Sequence, residues 1–157
     1  LEKFGNGKYK DKTIVEIGAS QGQSTRMLSH IFKRVIAVEW DDWNLEQARN
    51  NNSDRDNVEF VKMDLYNDRW EDHLPDDVDV VFIDAGHEYH QVKRFNNPIL
   101  VFDDYGLPPG EVKKAIDEKI EDGALKFHKF IGEKSEDLIS QSGTKFFDME
   151  GCICNFG

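Results

Sequence analysis

The sequence predicts an α/β fold: a doubly wound sheet of seven strands, mostly parallel, with an antiparallel hairpin at its C-terminal edge. Three observations carry this expectation. Apolar runs of strand length alternate with helical patterns along the chain, as they do in βαβ units. The first, second, fourth and fifth runs are continuous in apolar residues, which is how strands read when helices cover both faces of a sheet. The last two runs follow one another with no helix between them, so they should pair antiparallel at an edge.

The elements follow in order. The first strand is Thr13 to Ile17, and it runs through Gly18-Ala19-Ser20-Gln21-Gly22 into a helix starting near Gln23. Met27, Leu28, Ile31 and Phe32 make that helix's apolar stripe at helical spacing. His30, near its end, is placed to interact with the helix dipole. The second strand is Arg34 to Val38, a helix runs from about Trp43 to Asn50, and the third strand is Val58 to Lys62. A short polar helix around Asp68 to His73 leads past Pro75 to the fourth strand, Val78 to Ile83. Pro98 precedes the fifth strand, Ile99 to Phe102, and Gly106-Leu107-Pro108-Pro109-Gly110 breaks the chain before a helix at Glu111 to Glu121. The sixth strand is Leu125 to Ile131, and the seventh lies near Cys152 to Phe156. At 157 residues the chain suits a single core, and residues 1–157 read as one domain.

The turn after the first strand is the most informative segment. Glu16-Ile17-Gly18-Ala19-Ser20-Gln21-Gly22-Gln23-Ser24 puts an acid before two glycines four apart and then opens a helix. Glycine there allows positive φ and removes the Cβ atoms that would keep a small ligand from the backbone. The helix start leaves unpaired N–H groups facing the pocket. A dinucleotide turn wants G-x-G-x-x-G, to seat a pyrophosphate on the helix N-terminus. The spacing E-x-G-x-x-x-G suits a ligand carrying an ammonium group better. The segment resembles motif I of the class I S-adenosylmethionine (SAM)-dependent methyltransferases, and the resemblance extends from about Lys12 to the end of the chain. It implies a Rossmann-like fold, SAM as cofactor, and Gly18, Ala19, Ser20, Gly22 and Ser24 as cofactor-binding residues.

In such a sheet the ligand sits beyond the carboxyl ends of the strands, so the residues there are the candidates. Glu16 would lie near the methionine ammonium, or serve as a structural hydrogen-bonding acid. The second strand ends in Glu39-Trp40. The resemblance gives Glu39 the two ribose hydroxyls, and Trp40 either stacks on adenine or is a rim aromatic. Asp64, after the third strand, either accepts from the adenine amino group or caps a loop. The fourth strand ends in Asp84-Ala85-Gly86-His87 and the fifth in Asp103-Asp104-Tyr105. Three carboxylates from adjacent strand ends need a cation between them or raise one another's pKa. A hard divalent ion with oxygen ligands is the natural partner.

That pattern looks like the metal-dependent small-molecule O-methyltransferases, of the sugar and catechol kinds. By that resemblance Asp84, Asp103 and Asp104 hold Mg²⁺, and the metal lowers the pKa of the hydroxyl to be methylated. Asp84 would also touch SAM. His87 completes an Asp-x-x-His pattern in which the histidine takes the hydroxyl proton. The other reading has Asp103-Asp104 capping a turn. His90, His73 and His128 read as surface residues, while Tyr105 either lines the acceptor pocket or packs.

The rest of the chain narrows the function. Its net charge of −11, with the acids scattered, repels nucleic acid and anionic membranes. The Asp/Asn-Pro-Pro-Tyr/Phe motif of nucleic-acid amino-methylating enzymes is replaced by Asp84-Ala85-Gly86-His87. A small-molecule acceptor is expected, with no nucleic acid and no membrane, and with a homodimer open. No run of about 18 apolar residues exists, no signal peptide is visible, and Leu1 in place of Met leaves room for a missing leader or tag. Cys152 and Cys154 share one strand face as buried or half-buried thiols, in keeping with a reducing cytoplasm.

Two departures from the family stand out. Only Glu88 to Phe95 can be helical between the fourth and fifth strands, whereas a parallel crossover takes on the order of a dozen residues. Either that helix is truncated or residues of a mobile loop near 90–97 are absent, and the second is the expectation. No long N-terminal extension or cap insertion shapes an acceptor pocket. The competing readings are a metal-independent SAM methyltransferase with His87 as base, a non-catalytic SAM-binding module, and a NAD(P)-dependent oxidoreductase. The missing third glycine speaks against the last.

Overall fold

The structure is a computed structural model that describes residues 7–85, 95, 97–106, 111–131, 138–139, 145–146 and 151–157. Contacts divide the chain into two compact units, residues 1–96 and 97–157. Its strands make the seven-stranded, mostly parallel sheet the sequence predicts.

The first unit holds β1 (Thr13–Ile17), α1 (Gln23–Ser29), β2 (Arg34–Glu39), α2 (Asp42–Asn51), β3 (Val58–Lys62) and β4 (Val80–Ile83). Its four strands are parallel, with Val15 opposite Ile36 on one side and Val81 on the other. Val15, Val35, Ala37 and Val81 are fully buried, so β-branched and small residues fill the centre. Asp41 caps α2 by accepting the Asn44 N–H at 2.8 Å, and Leu45 and Ala48 are the helix's buried residues. The polar helix expected at Asp68 to His73 is a single 3₁₀ turn, Trp70–Asp72. Trp70 is buried and its indole N–H donates to Leu65 O at 3.1 Å, which fixes that turn from within.

The first helix departs from expectation in a way that matters for the site. It ends at Ser29, Met27 is 54% exposed, and the buried residues are Thr25 and Ser29. The reason lies beneath it: β1 presents Glu16, and the Thr25 hydroxyl donates to Glu16 Oε2 at 2.5 Å. A buried acid calls for hydroxyls above it, not an apolar stripe.

The second unit holds β5 (Ile99–Asp103), α3 (Glu111–Glu121), β6 (Leu125–Ile131), β7 (Leu138–Ile139), β8 (Lys145–Phe146) and β9 (Gly151–Phe156). β9 runs antiparallel between β5 and β6, with Cys152 opposite Phe102 and Cys154 opposite Leu100 and Phe127. Both cysteines are buried and free. The sequence reading passes from the sixth strand directly to the last, whereas β7 and β8 pair with each other between them. The crossover between β4 and β5, including the stretch 90–97 where residues were expected to be absent, falls largely outside the described residues.

Candidate functional site

The site that can be built belongs to the first unit, at the carboxyl ends of β1 to β4. Gly18 leaves β1 with φ 94°, and Gly22 caps α1 with φ 80°. Both are left-handed conformations that glycine adopts without steric cost. The sequence reading assigns these glycines to positive φ and to ligand approach; the structure shows the positive φ and adds a packing demand at both. A Cβ on Gly18 would run into the backbone carbonyl of Asp84, and one on Gly22 would stand 2.6 Å from Asn52 Nδ2.

The turn between them is pinned on both sides. The N–H groups of Gly18 and Ala19 donate to Val38 O at 3.0 and 2.9 Å, and Gly22 N–H donates to Ala19 O at 2.8 Å. Ser20, at φ 48°, donates its N–H to Glu39 Oε2 at 2.8 Å. Asn51 Nδ2 donates to Gln21 O at 2.9 Å, and Asn52 Nδ2 to Gly22 O at 3.0 Å. Sequence reasoning missed Asn51 and Asn52. The run Asn50-Asn51-Asn52 reads only as a helix end.

Glu39 closes β2 with 6% of its surface exposed. Its Oε1 accepts from the N–H groups of Trp40 and Asp41, each at 2.9 Å. With Ser20 on Oε2, three of the carboxylate's roughly four acceptor positions are taken. One is left among the described residues. Glu16 is fully buried, and its Oε1 has no hydrogen-bond partner among the described residues. Burial pushes its pKa up to about 7, opposed by the Ser24 and Thr25 hydroxyls and reinforced by the charge of Asp84.

Trp40, 68% exposed, lines a cleft of about 460 Å³ with Asp41, Asp42, Lys62, Asp64 and Asp68. That is the size of a small-molecule site. A narrower slot, lined by Gly18, Val38, Glu39, Trp40, Met63, Leu65 and Ala85, shares the indole. Asp64 fills the capping role. Its Oδ1 accepts from Tyr66 N–H at 2.9 Å and its Oδ2 from Asn67 Nδ2 at 2.8 Å. These bonds, the Asn67 amide first, hold its pKa below the usual carboxylate value.

The remaining candidates are distributed as follows. Asp84 comes directly after β4, and its N–H donates to Ile17 O at 2.9 Å. In the second unit Asp103 is the last residue of β5, paired in register with Gly151, and Asp104 follows at φ 58°. Tyr105 is buried and packs within its unit, its hydroxyl donating to Asp117 Oδ1 at 2.7 Å. His87, Gly86 and His90 lie outside the described residues. Among the described residues no group of three or more His, Cys, Asp or Glu could hold a metal ion. Of the acids expected to hold magnesium, Asp84 belongs to the first unit and Asp103 and Asp104 to the second. Among the described residues no helix is long and apolar enough to cross a membrane.

Comparison with known proteins sets this geometry in a family. The family model for methyltransferase domains matches residues 15–105. No curated protein matches the chain. Among solved structures, a SAM-dependent methyltransferase from Aquifex aeolicus is 18% identical with a TM-score of 0.69, covering 100% of this chain and 87% of its own. An O-methyltransferase from Bacillus cereus, in complex with S-adenosylhomocysteine, is 18% identical with a TM-score of 0.65, covering 92% and 73%. A precorrin-6y C5,15-methyltransferase from Geobacter metallireducens is 20% identical with a TM-score of 0.63, covering 95% and 82%. At these identities the structures show the fold. With the glycine turn, the buried acid at the end of β2 and the match over residues 15–105, the chain belongs to the family of methyltransferase domains and has the class I SAM-dependent methyltransferase fold.

Proposed function

We propose that this protein transfers a methyl group from SAM to a hydroxyl of a small acceptor, a sugar or diol-like compound. The observation that carries the cofactor is Glu39. It is a buried carboxylate anchored by three backbone N–H groups, with one acceptor position left among the described residues. That position suits a ribose hydroxyl, and Trp40 beside it suits one face of adenine. SAM, when bound, supplies a methyl on a sulfonium that an oxygen nucleophile can displace in line. The chain's part is to hold the cofactor, orient the acceptor and take the proton. His87, three residues after Asp84, is the candidate base. The hydroxyl acceptor rests on Asp84-Ala85-Gly86-His87, which lacks the Pro-Pro aromatic segment of amino-methylating enzymes. The acidic surface supports a small partner over nucleic acid or membrane, and a cytoplasmic setting is in keeping with two buried free thiols. Magnesium assistance rests on the resemblance alone, with Asp84, Asp103 and Asp104 as the residues that would hold the ion.

Calorimetric titration of SAM, S-adenosylhomocysteine and NAD⁺ tests the reading. Micromolar binding of the first two is expected, lost in Glu39→Ala. Preference for NAD⁺, or no binding of SAM, sinks it. Turnover on diol acceptors with Mg²⁺ and with EDTA then decides whether a metal assists.

A further inference from the structure

The end of α2 makes contacts that neither the resemblance nor the cofactor reading assigns. Asn52, 2% exposed, is the C-cap residue of α2, and its side-chain amide donates twice: to Ala48 O at 2.9 Å and to Gly22 O at 3.0 Å. Ala48 O also accepts the Asn52 backbone N–H at 3.2 Å, so this one residue closes the helix end twice while its amide holds the second glycine of the turn. Its neighbour Asn51 donates to Gln21 O at 2.9 Å, so two consecutive turn carbonyls face the same helix end. Arg26 of α1 closes the arrangement from the other side. Its guanidinium donates to Asn51 O at 2.9 Å and pairs with both carboxylate oxygens of Asp54 at 2.7 and 3.0 Å.

We infer that Asn51 and Asn52 are positioning residues for the cofactor, a clamp at the end of α2 that fixes the Gln21-Gly22 peptides. The inference rests on the SAM reading given above. Carbonyl and N–H point in opposite directions across a trans peptide. Holding Gln21 O toward α2, and Gly22 O between the Asn52 amide and the Arg26 N–H that it also accepts at 3.1 Å, therefore fixes the direction of the Gly22 and Gln23 N–H groups. The first of these closes the turn on Ala19 O. Ser20, within that turn, donates to Glu39, so the clamp also bears on the carboxylate proposed for ribose. The packing is tight enough to be specific. A Cβ at Gly22 would stand 3.1 Å from both Ala48 Cα and Ala48 Cβ as well as meeting the Asn52 amide.

Two readings together test the clamp: amide hydrogen exchange over Gln21 to Gln23, and calorimetric affinity for S-adenosylhomocysteine. Asn52→Ala should speed exchange in that segment at least tenfold and weaken binding about tenfold, with exchange in β1 and β2 unchanged. Asn51→Ala, on the exposed side of the turn, keeps the test alive if Asn52→Ala fails to fold. It should show a smaller loss, about threefold in both readings, and Asn51→Gln should restore most of it by keeping a donor. Unchanged turn exchange and affinity in the alanine variants that fold, against a wild type that binds, overturns the clamp. A wild type that binds neither SAM nor S-adenosylhomocysteine overturns the cofactor reading and this positioning role with it, while the exchange data show which contact has failed.

Discussion

A fully buried glutamate whose second oxygen lacks a partner among the described residues costs stability whenever it is ionised. Glu16 shows how that cost depends on pH. Its folded pKa, about 7, lies above the ordinary 4.5, so between those values the folded state holds a proton that the unfolded state has lost. Stability from this group is therefore fully present below pH 4.5, falls as pH rises toward 7, and stays low above it. The full penalty is on the order of 3 kcal/mol, and about 2 kcal/mol of it should appear between pH 5.5 and 8. Glu16→Gln cannot ionise. Urea unfolding of both proteins at the two pH values should show the variant gaining about 2 kcal/mol on the wild type as pH rises. A gap independent of pH would mean Glu16 is already charged when folded. Asp54 has the opposite sense, held at about 2 chiefly by the Arg26 guanidinium, but it is exposed and common to both proteins, so it drops out of the comparison.

At the scale of elements, the same left-handed φ has two different causes, and substitution separates them. Gly18 (φ 94°) and Gly123 (φ 79°, just after α3) would both strain an alanine backbone, by roughly 1–2 kcal/mol. At Gly123 nothing among the described residues lies within 4 Å of the added Cβ, so the cost should stop there. At Gly18 the Cβ meets the Asp84 carbonyl at the end of β4, and backbone cannot swing aside. Gly18→Ala should lose more than about 3 kcal/mol by urea denaturation, and Gly123→Ala less than half of that. Equal losses would show that β4 yields more readily than its parallel pairing with β1 suggests. The comparison also explains what the sequence made legible. Strand β1 and the positive φ of its turn were readable because strand pattern and glycine are local signals. The object each glycine makes room for was not, since Asp84 and Asn52 approach from elements dozens of residues away. The polar face of α1 was hidden for the same reason. Met27, Leu28, Ile31 and Phe32 keep helical spacing, but only the fold puts Glu16 under Thr25.

Across the whole molecule, charge follows from composition alone: 31 acids against 20 bases leave −11. The ion pairs that offset it are mostly exposed. Arg26–Asp54 and Arg34–Glu59 close at 2.7 and 2.6 Å, and Lys62 meets Asp42, with most of these side chains about half exposed or more. Such pairs contribute roughly 0–1 kcal/mol each, and salt screens them. Repulsion among the excess acids is screened as well, over a Debye length of about 10 Å at 0.1 M. Two effects of opposite sign thus weaken together, and their sizes decide the outcome. The local pairs are exposed and each loses little, whereas an excess of eleven like charges acts between every pair of acids within range. Repulsion should win. Raising NaCl from 20 to 200 mM at pH 7.5 is expected to raise Tm by a few degrees, as a gain of about 1 kcal/mol would. A fall in Tm would mean that the charge pairs are coupled more tightly than their exposure allows, and that the acidic surface stabilises the fold through them.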